Sequence, residues 1–350
     1  EADLERRRGQ HQAAQARWSE LRAEQPNVRI RNAAEQLGVS ELELLATQVG
    51  VDVVRLDATP PEIIGRMHEL GRVMALTRND VCVHERSGTF EKVSFDGGVG
   101  LVLGPDIDLR IFASQWRHTF AVTTHERRGP RRSLQFFDAA GAAVHKVFLL
   151  PDSNHATFAR WSVQYRSDDQ SAAVAVEAPA RPPIDRADTD VDVEGFRAAW
   201  RVMTDTHEFF GLTRRFGVGR QQALRLAPEG YARQVSTRAL RDVLGTSAAT
   251  GMSIMVFVNN PGCIQIHTGP VTKLVETGEW YNVLDPDFNL HVHEASLGSA
   301  WHVTKPTVDG EVNSLELFDK SGELVALLFG ERKPGKPEVE AWRALAYRLR

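Results

Sequence analysis

LGPDIDLRI (103–111) and LDPDFNLHV (284–292) are two versions of one segment, set 181 positions apart. In each, a Pro-Asp turn leads into a short alternating run, the pattern of a strand with one buried face. The same spacing separates SLQFFDAAG (133–141) from SLELFDKSG (314–322), Asn79 from Asn260, Cys82 from Cys263 and Gly88 from Gly269. Agreement residue by residue marks an internal repeat. The order of elements repeats with it. Residues 1–50 read as helices interrupted at Pro26, IIGRMHELGRVMA (63–75) as another helix, and 80–150 as short strands closed by a helix at 155–166. Helices return over 194–250, strands over 253–330, and a last helix over KPEVEAWRALAYRL (336–349). Between the halves, SDDQSAAVAVEAPARPPIDRADTDVD (167–192) is rich in Ala, Asp and Pro and reads as a linker. The expected fold is therefore α+β, a tandem duplication of a helices-plus-large-antiparallel-sheet unit: 1–166 the first repeat, 167–192 a linker, 193–350 the second repeat.

Composition bounds what such a chain does. With 42% hydrophobic and 25% charged residues over 350 positions, it is long enough for about two globular cores. A formal net charge of −4 argues against a surface built throughout to grip nucleic acid. No apolar run approaches the roughly 18 residues of a membrane helix. EADLERRRGQHQAAQARW (1–18) lacks the apolar segment of a secretory signal. Two cysteines far apart make no disulfide framework and fit a reducing cytoplasm.

Duplication also acts as a filter, because what both halves keep is mostly scaffold. FRAAWRVMTDTHEFFGLTRRFGVGRQQALRL (196–226) carries something the first half lacks: aligning Gly38-Val39 with Gly217-Val218 puts Val28 opposite His207. Trp200, Met203, His207, Phe210 and Leu212 recur near helical spacing, which predicts His207 close to an apolar helix face. A histidine there is either a core residue bonded to a backbone carbonyl or a ligand for the iron of a flat, apolar, dianionic porphyrin. Arg110 opposes His291 and Phe112 opposes His293, so those positions have diverged as well. His291 and His293 share one strand face but have no third metal ligand at hand, and His84 and His267 read as turn or core residues. RNAAEQLGVSELELLATQ (31–48) has the look of a DNA-binding helix-turn-helix capped by Ser40. Its Glu41 and Glu43 would face phosphates, and the hairpin recurs in the second half. Whether helix 40–48 is exposed or packed on the first sheet separates the two readings.

Several separate motifs, FVNNPGCIQIHTGPV (257–271), LDPDFNLHVHEASLGSAWHVTKPTVDG (284–310), SLELFD (314–319), ALTRNDVCVHERSG (75–88) and DLRIF (108–112), make the chain resemble the cytoplasmic haemin-degrading and haemin-trafficking proteins of bacteria, the HemS/ChuS family. The resemblance covers nearly the whole chain, duplication included. It implies two large antiparallel sheets with helices and haem held by the second half, with access from the first. It implies His207 in TDTHEFFGLTRRF as axial iron ligand, haem contacts from Arg220, Phe257, Lys305, Phe329 and Arg332, and distal-side residues Arg110 and Phe112. Some relatives carry a tyrosine where this chain has Phe329 and a polar residue where it has Leu327, so this chain brings no hydrogen-bonding group at either position. The chemistry agrees: Arg220, Lys305 and Arg332 would pair with propionates at a pocket rim, and Phe257 and Phe329 would contact the ring. Arg110 would hold an iron-bound oxygen species by a charge-assisted hydrogen bond and so act in catalysis. Two functions fit, an enzyme that opens the porphyrin with dioxygen and an external electron donor, and a carrier that hands haem to a separate haem oxygenase. An ATP-binding-cassette haem importer on the supply side and an oxygenase or reductase downstream are the partners implied. A DNA-binding regulator is the third reading.

Overall fold

The computed structural model describes residues 2–50 and 52–350, with side chains of the first helix described mainly from residue 12 onward. The first half runs α1 (Ala2–Glu24), α2 (Ile30–Leu37), α3 (Glu41–Ala46), β1 (Val53–Leu56), α4 (Pro60–Gly65), β2 (Val73–Arg78), β3 (Cys82–Gly88), β4 (Val93–Asp96), β5 (Val99–Leu103), β6 (Asp108–Phe112), β7 (His118–Glu126), β8 (Gly129–Phe137), β9 (Ala143–Leu149) and α5 (His155–Gln164). The second runs α6 (Val193–Arg201), α7 (Glu208–Phe216), α8 (Arg220–Arg225), β10 (Ala232–Val235), α9 (Ala239–Thr250), β11 (Ile254–Asn260), β12 (Cys263–Gly269), β13 (Leu274–Thr277), β14 (Trp280–Leu284), β15 (Phe288–His293), β16 (Leu297–Thr307), β17 (Gly310–Asp319), β18 (Leu324–Gly330) and α10 (Glu340–Arg348). The strands make two nine-stranded sheets with antiparallel pairing, so the expected α+β architecture holds.

The chain divides into two compact units between Ala180 and Arg181, with short segments around residues 78–86 and 260–263 exchanged between them. One comprises Glu1–Thr77, Ser87–Ala180 and Asn260–Cys263, the other Arg78–Arg86, Arg181–Asn259 and Ile264–Arg350. The repeated asparagines sit where the chain changes unit. Asn79 accepts from the backbone N–H of Val81 and Cys82 through Oδ1 and donates through Nδ2 to the carbonyls of Asn259 and Val325. Asn260 does the same for Gly262 and Cys263, donating to Val144 O. Each asparagine satisfies a tight turn and pins it to a neighbouring strand. β3 consequently pairs with β15, from Cys82 opposite Val292 to Arg86 opposite Phe288.

Three expectations change. The helix expected over 63–75 stops at Gly65, with a 3-10 turn at Met67–Leu70, and Val73, Met74 and Ala75 enter β2. Gly71 breaks the run with φ 71°, and a buried apolar stretch of that length suits a strand equally well. The linker is only partly free: Glu177 N–H donates to Ala139 O, and Val174 and Val176 pack on the core around Phe120 and Phe137. The helix-turn-helix reading fails, because Glu41, Leu42, Leu44, Leu45 and Ala46 of α3 are buried. Glu41 forms a buried ion pair with Lys146 of β9, leaving no reading face for DNA.

In the second unit the sheet β10-β16-β17-β18-β11 carries helices on both faces. Ala300, Leu315, Leu317, Leu328 and Val256 pack with Leu240, Val243, Leu244 of α9 and Trp342, Leu345 of α10. Trp301, Val303 and Phe318 pack with Phe196 and Trp200 of α6, Phe209 and Leu212 of α7 and Leu224 of α8. Lys305, Phe257 and Phe329 of this sheet, and Arg220 of α8, lie on the second face.

Candidate functional site

Register decides which side chains share a face, since cross-strand partners project the same way. Trp301 pairs with Glu316, Glu316 with Leu327 and Leu327 with Phe257, a row across four strands. Next to it run Val303, Ser314, Phe329 and Met255. Trp301 and Val303 belong to the core under α6–α8, so Phe257, Leu327 and Phe329 lie on that face as well, each only half-buried. The rings of Phe257 and Phe329 meet at 5.2 Å, tilted by 59°. They form a half-buried aromatic floor on that face of the sheet.

Glu316 is fully buried in this row. Its Oε2 accepts from Arg220 Nε at 3.0 Å and its Oε1 from Arg220 Nη2 at 2.8 Å and Lys305 Nζ at 3.0 Å. Phe209 of α7 lies against both cations, 4.5 Å from Lys305 Nζ and 5.3 Å from Arg220 Cζ. Burial pushes the Glu316 carboxyl up, but Arg220 and Lys305 outweigh it and hold the group down at about 2. This corrects the role expected for two cations. Lys305 is not at a rim: β16 runs through to Thr307, so the lysine is a strand residue pointing inward, with a side chain only 4% exposed. Arg220, half-buried, is engaged bidentately by the same carboxylate.

Arg332 differs. Its Nε is buried with no hydrogen-bond partner among the described residues. It lies close enough to Asp205 for its charge to help hold that carboxyl below the usual range, after the hydrogen bonds from the His207 backbone and ring. A buried donor without an acceptor is a defect in a finished core and an asset where an anion is to arrive.

His207 is not on a buried helix face. α6 ends at Arg201, and His207 sits in the turn before α7 with its side chain 92% exposed, Phe210 beside it being 67% exposed. The helix is interrupted because polar side chains capture the backbone: Asp205 Oδ1 accepts from His207 N at 2.8 Å, and Glu208 Oε1 accepts from Thr204 N at 3.1 Å and Thr204 Oγ1 at 2.6 Å. The turn is tied to the sheet by Val308 N donating to Thr204 O. The ring is fixed too, Nδ1 lying 2.7 Å from Asp205 Oδ1, while no hydrogen bond from the described residues engages Nε2. Of the two readings of His207, the buried core histidine is excluded.

In the first unit Arg110 of β6 donates to Asp108 Oδ1 at 2.5 Å and to Leu109 O at 3.1 Å, and its side chain is 31% exposed. Burial raises the Asp108 carboxyl despite Arg110. Phe112, half-buried, donates its N–H to Gly262 O. His291 and His293 are bonded to Asn282, Ser296 and Glu279, and no cluster of three or more metal-ligating side chains occurs among the described residues. Cys82 and Cys263 are buried free thiols, the latter pushed up to about 12 by burial. Two shallow surface concavities, between α9 and α10 and between α6 and α7, contain none of the candidate residues. The sequence reading missed Glu316, Phe209 and Asp205. Glu316 had a signal, since Gln135 stands in its place in the first half, and so did Asp205, a carboxylate two residues before the singled-out histidine.

The second unit of this duplicated α+β chain thus carries an exposed histidine fixed by a carboxylate, an arginine whose buried Nε has no hydrogen-bond partner among the described residues, and a half-buried pair of phenylalanines. The Haemin-degrading HemS.ChuX domain matches residues 38–165 and again 217–349, and the chain belongs to that family. It is similar to the hemin transport protein HmuS of Yersinia pestis, 37% identical over 337 residues that cover 95% of this chain and 96% of that one. Among solved structures it resembles holo-PhuS, a heme-binding protein from Pseudomonas aeruginosa, with a TM-score of 0.93 and 44% identity over 97% of this chain and 99% of that one. The heme degrading enzyme ChuS of Escherichia coli O157:H7 matches with a TM-score of 0.90 and 36% identity, covering 97% of this chain and 99% of that one.

Proposed function

We propose that this protein binds haem as its substrate, with His207 as axial ligand, and degrades it to release iron using dioxygen and an external electron donor. The observation that carries the reading is His207 itself: an exposed imidazole whose ring is held by Asp205 and whose Nε2 is uncommitted. The same unit offers other groups that a porphyrin needs. Phe257 and Phe329 present apolar ring area, and Arg332 brings a guanidinium with an unsatisfied Nε to meet a propionate. Arg220 and Lys305, held by Glu316, contribute a net positive charge behind Phe209. Bound iron supplies the oxygen chemistry. Arg110, from the family resemblance, is the proposed catalytic residue, and Phe112 a proposed contact.

A second reading, a carrier that delivers haem to a separate oxygenase, is favoured by the names of two relatives, a hemin transport protein and a heme-binding protein. A cytoplasmic location, supply by a haem importer and a reductase or oxygenase downstream complete the proposal. Two buried free cysteines support the first of these, and no helix among the described residues is long and apolar enough to cross a membrane. Titration with haemin, followed by ascorbate in air with catalase present, separates the readings. Loss of the Soret band with release of iron and a defined linear tetrapyrrole makes it an enzyme. A stable stoichiometric complex that passes haem to an added oxygenase makes it a carrier. Arg110→Ala should still bind haem and turn over more slowly; equal rates would remove it from the chemistry.

A further inference from the structure

We propose that Asp205 is a positioning residue for His207, setting which ring nitrogen meets the iron and how strongly that nitrogen donates. The inference rests on His207 as ligand and goes beyond it. A carboxylate is an acceptor only, so the contact of Asp205 Oδ1 with Nδ1 at 2.7 Å places the ring proton on Nδ1 and leaves the Nε2 lone pair outward. The same oxygen accepts the His207 backbone N–H at 2.8 Å, which fixes main chain and ring with one atom. The turn that carries the carboxylate is itself anchored. Around it the backbone of the turn is fixed, Glu208 N–H donating to the Asp205 main-chain carbonyl and Thr204 being held by Glu208 and by Val308, while on the carboxylate the charge of Arg332 acts electrostatically. With a side chain 92% exposed, His207 has no packing to orient it, so the hydrogen bond is what removes its rotational freedom. An anionic partner on Nδ1–H also makes Nε2 a stronger donor, which favours the ferric state of a bound iron.

The test compares His207→Ala, Asp205→Ala and Asp205→Asn with the full-length protein by haemin titration, the iron–histidine stretch of the ferrous complex and the reduction midpoint. Asp205→Ala should weaken haem binding about ten- to a hundred-fold, the range for removal of an outer partner, lower the stretching frequency and move the midpoint positive. Asp205→Asn keeps an acceptor without the charge, so it should recover most of the affinity while the midpoint stays positive. A fold-only role would leave stretch and midpoint unchanged in both variants, and that result overturns the inference. If His207→Ala keeps the wild-type haem spectrum, the ligand assignment itself falls; if His207→Ala fails to bind and the Asp205 variants match wild type, only the role of Asp205 falls.

Discussion

The first turns of α3 and α8 occupy equivalent places in the two halves and carry opposite charge. Gly38 and Gly217 end the preceding helices with φ of 67° and 65°, and in each half the next residue donates its N–H to the carbonyl five back. Counted from these glycines, Glu41 stands opposite Arg220, each the first residue of its helix. Their partners come from the sheet beneath. Glu41 pairs with Lys146 of β9, beside Gln135; Arg220 pairs with Glu316 of β17, beside Leu327, and Lys305 joins from β16. One scaffold thus sets one acid against one lysine in the first half and one acid between two basic side chains in the second. The first is a sealed helix dock. The second leaves a positive charge behind Phe209 and a half-exposed Arg220 on the face where an anionic ligand is proposed.

Removing the central acid tests this difference most severely. Glu316→Ala leaves two buried or half-buried cations facing each other and should cost about 3–5 kcal/mol by denaturant unfolding, with haem affinity lost as well. Glu41→Ala should destabilise on a similar scale, because it removes the buried carboxylate that meets the Lys146 ammonium, but without effect on haem once the protein is folded. Equal losses of haem binding would erase the distinction between the halves. The acid limb of stability gives the next effect. Because Glu316 titrates at about 2 when folded against an ordinary 4.5, its contribution is complete above pH 4.5 and is lost as pH falls toward 2. That amounts to roughly 3 kcal/mol. Glu316→Gln should lack that part of the acid dependence; an unchanged slope between pH 4.5 and 2 would contradict the buried cluster. Smallest is Phe329→Tyr, which adds a hydroxyl to the aromatic floor and should change haem affinity by less than about tenfold, in line with one hydrogen bond. A larger change would mean that the floor reads polarity and not only apolar area.

The duplication was legible because turns and alternation are local: Pro-Asp, Ser-Leu-x-x-Phe-Asp and the paired asparagines each fix a short geometry wherever they occur. The exchange of strands was not, since β3 and β15 meet across some 200 residues and no local pattern encodes that register. β1 and β10, four residues each, are too short to show alternation and went unpredicted. His207 was found, but for a reason the structure reverses: helical spacing suggested burial, whereas Thr204 and Asp205 divert the backbone and leave the ring outside. Lys305 looked like a turn cation, and only the length of β16 turns it inward. Glu316 hid inside a repeated motif, SLELFD, whose repetition marked it as scaffold, although the acid is the one position in SLEL that differs in charge from SLQF.

The central claim is that His207 holds the iron, and haemin titration of wild type against His207→Ala, followed in the Soret region, tests it most directly. Wild type should saturate at one haem with a shifted, sharpened band. The variant should lose the shift and bind more than about 100-fold more weakly, beyond the range for an outer-sphere residue. An identical spectrum and affinity in the variant would contradict the assignment and move the search for the ligand elsewhere in the chain.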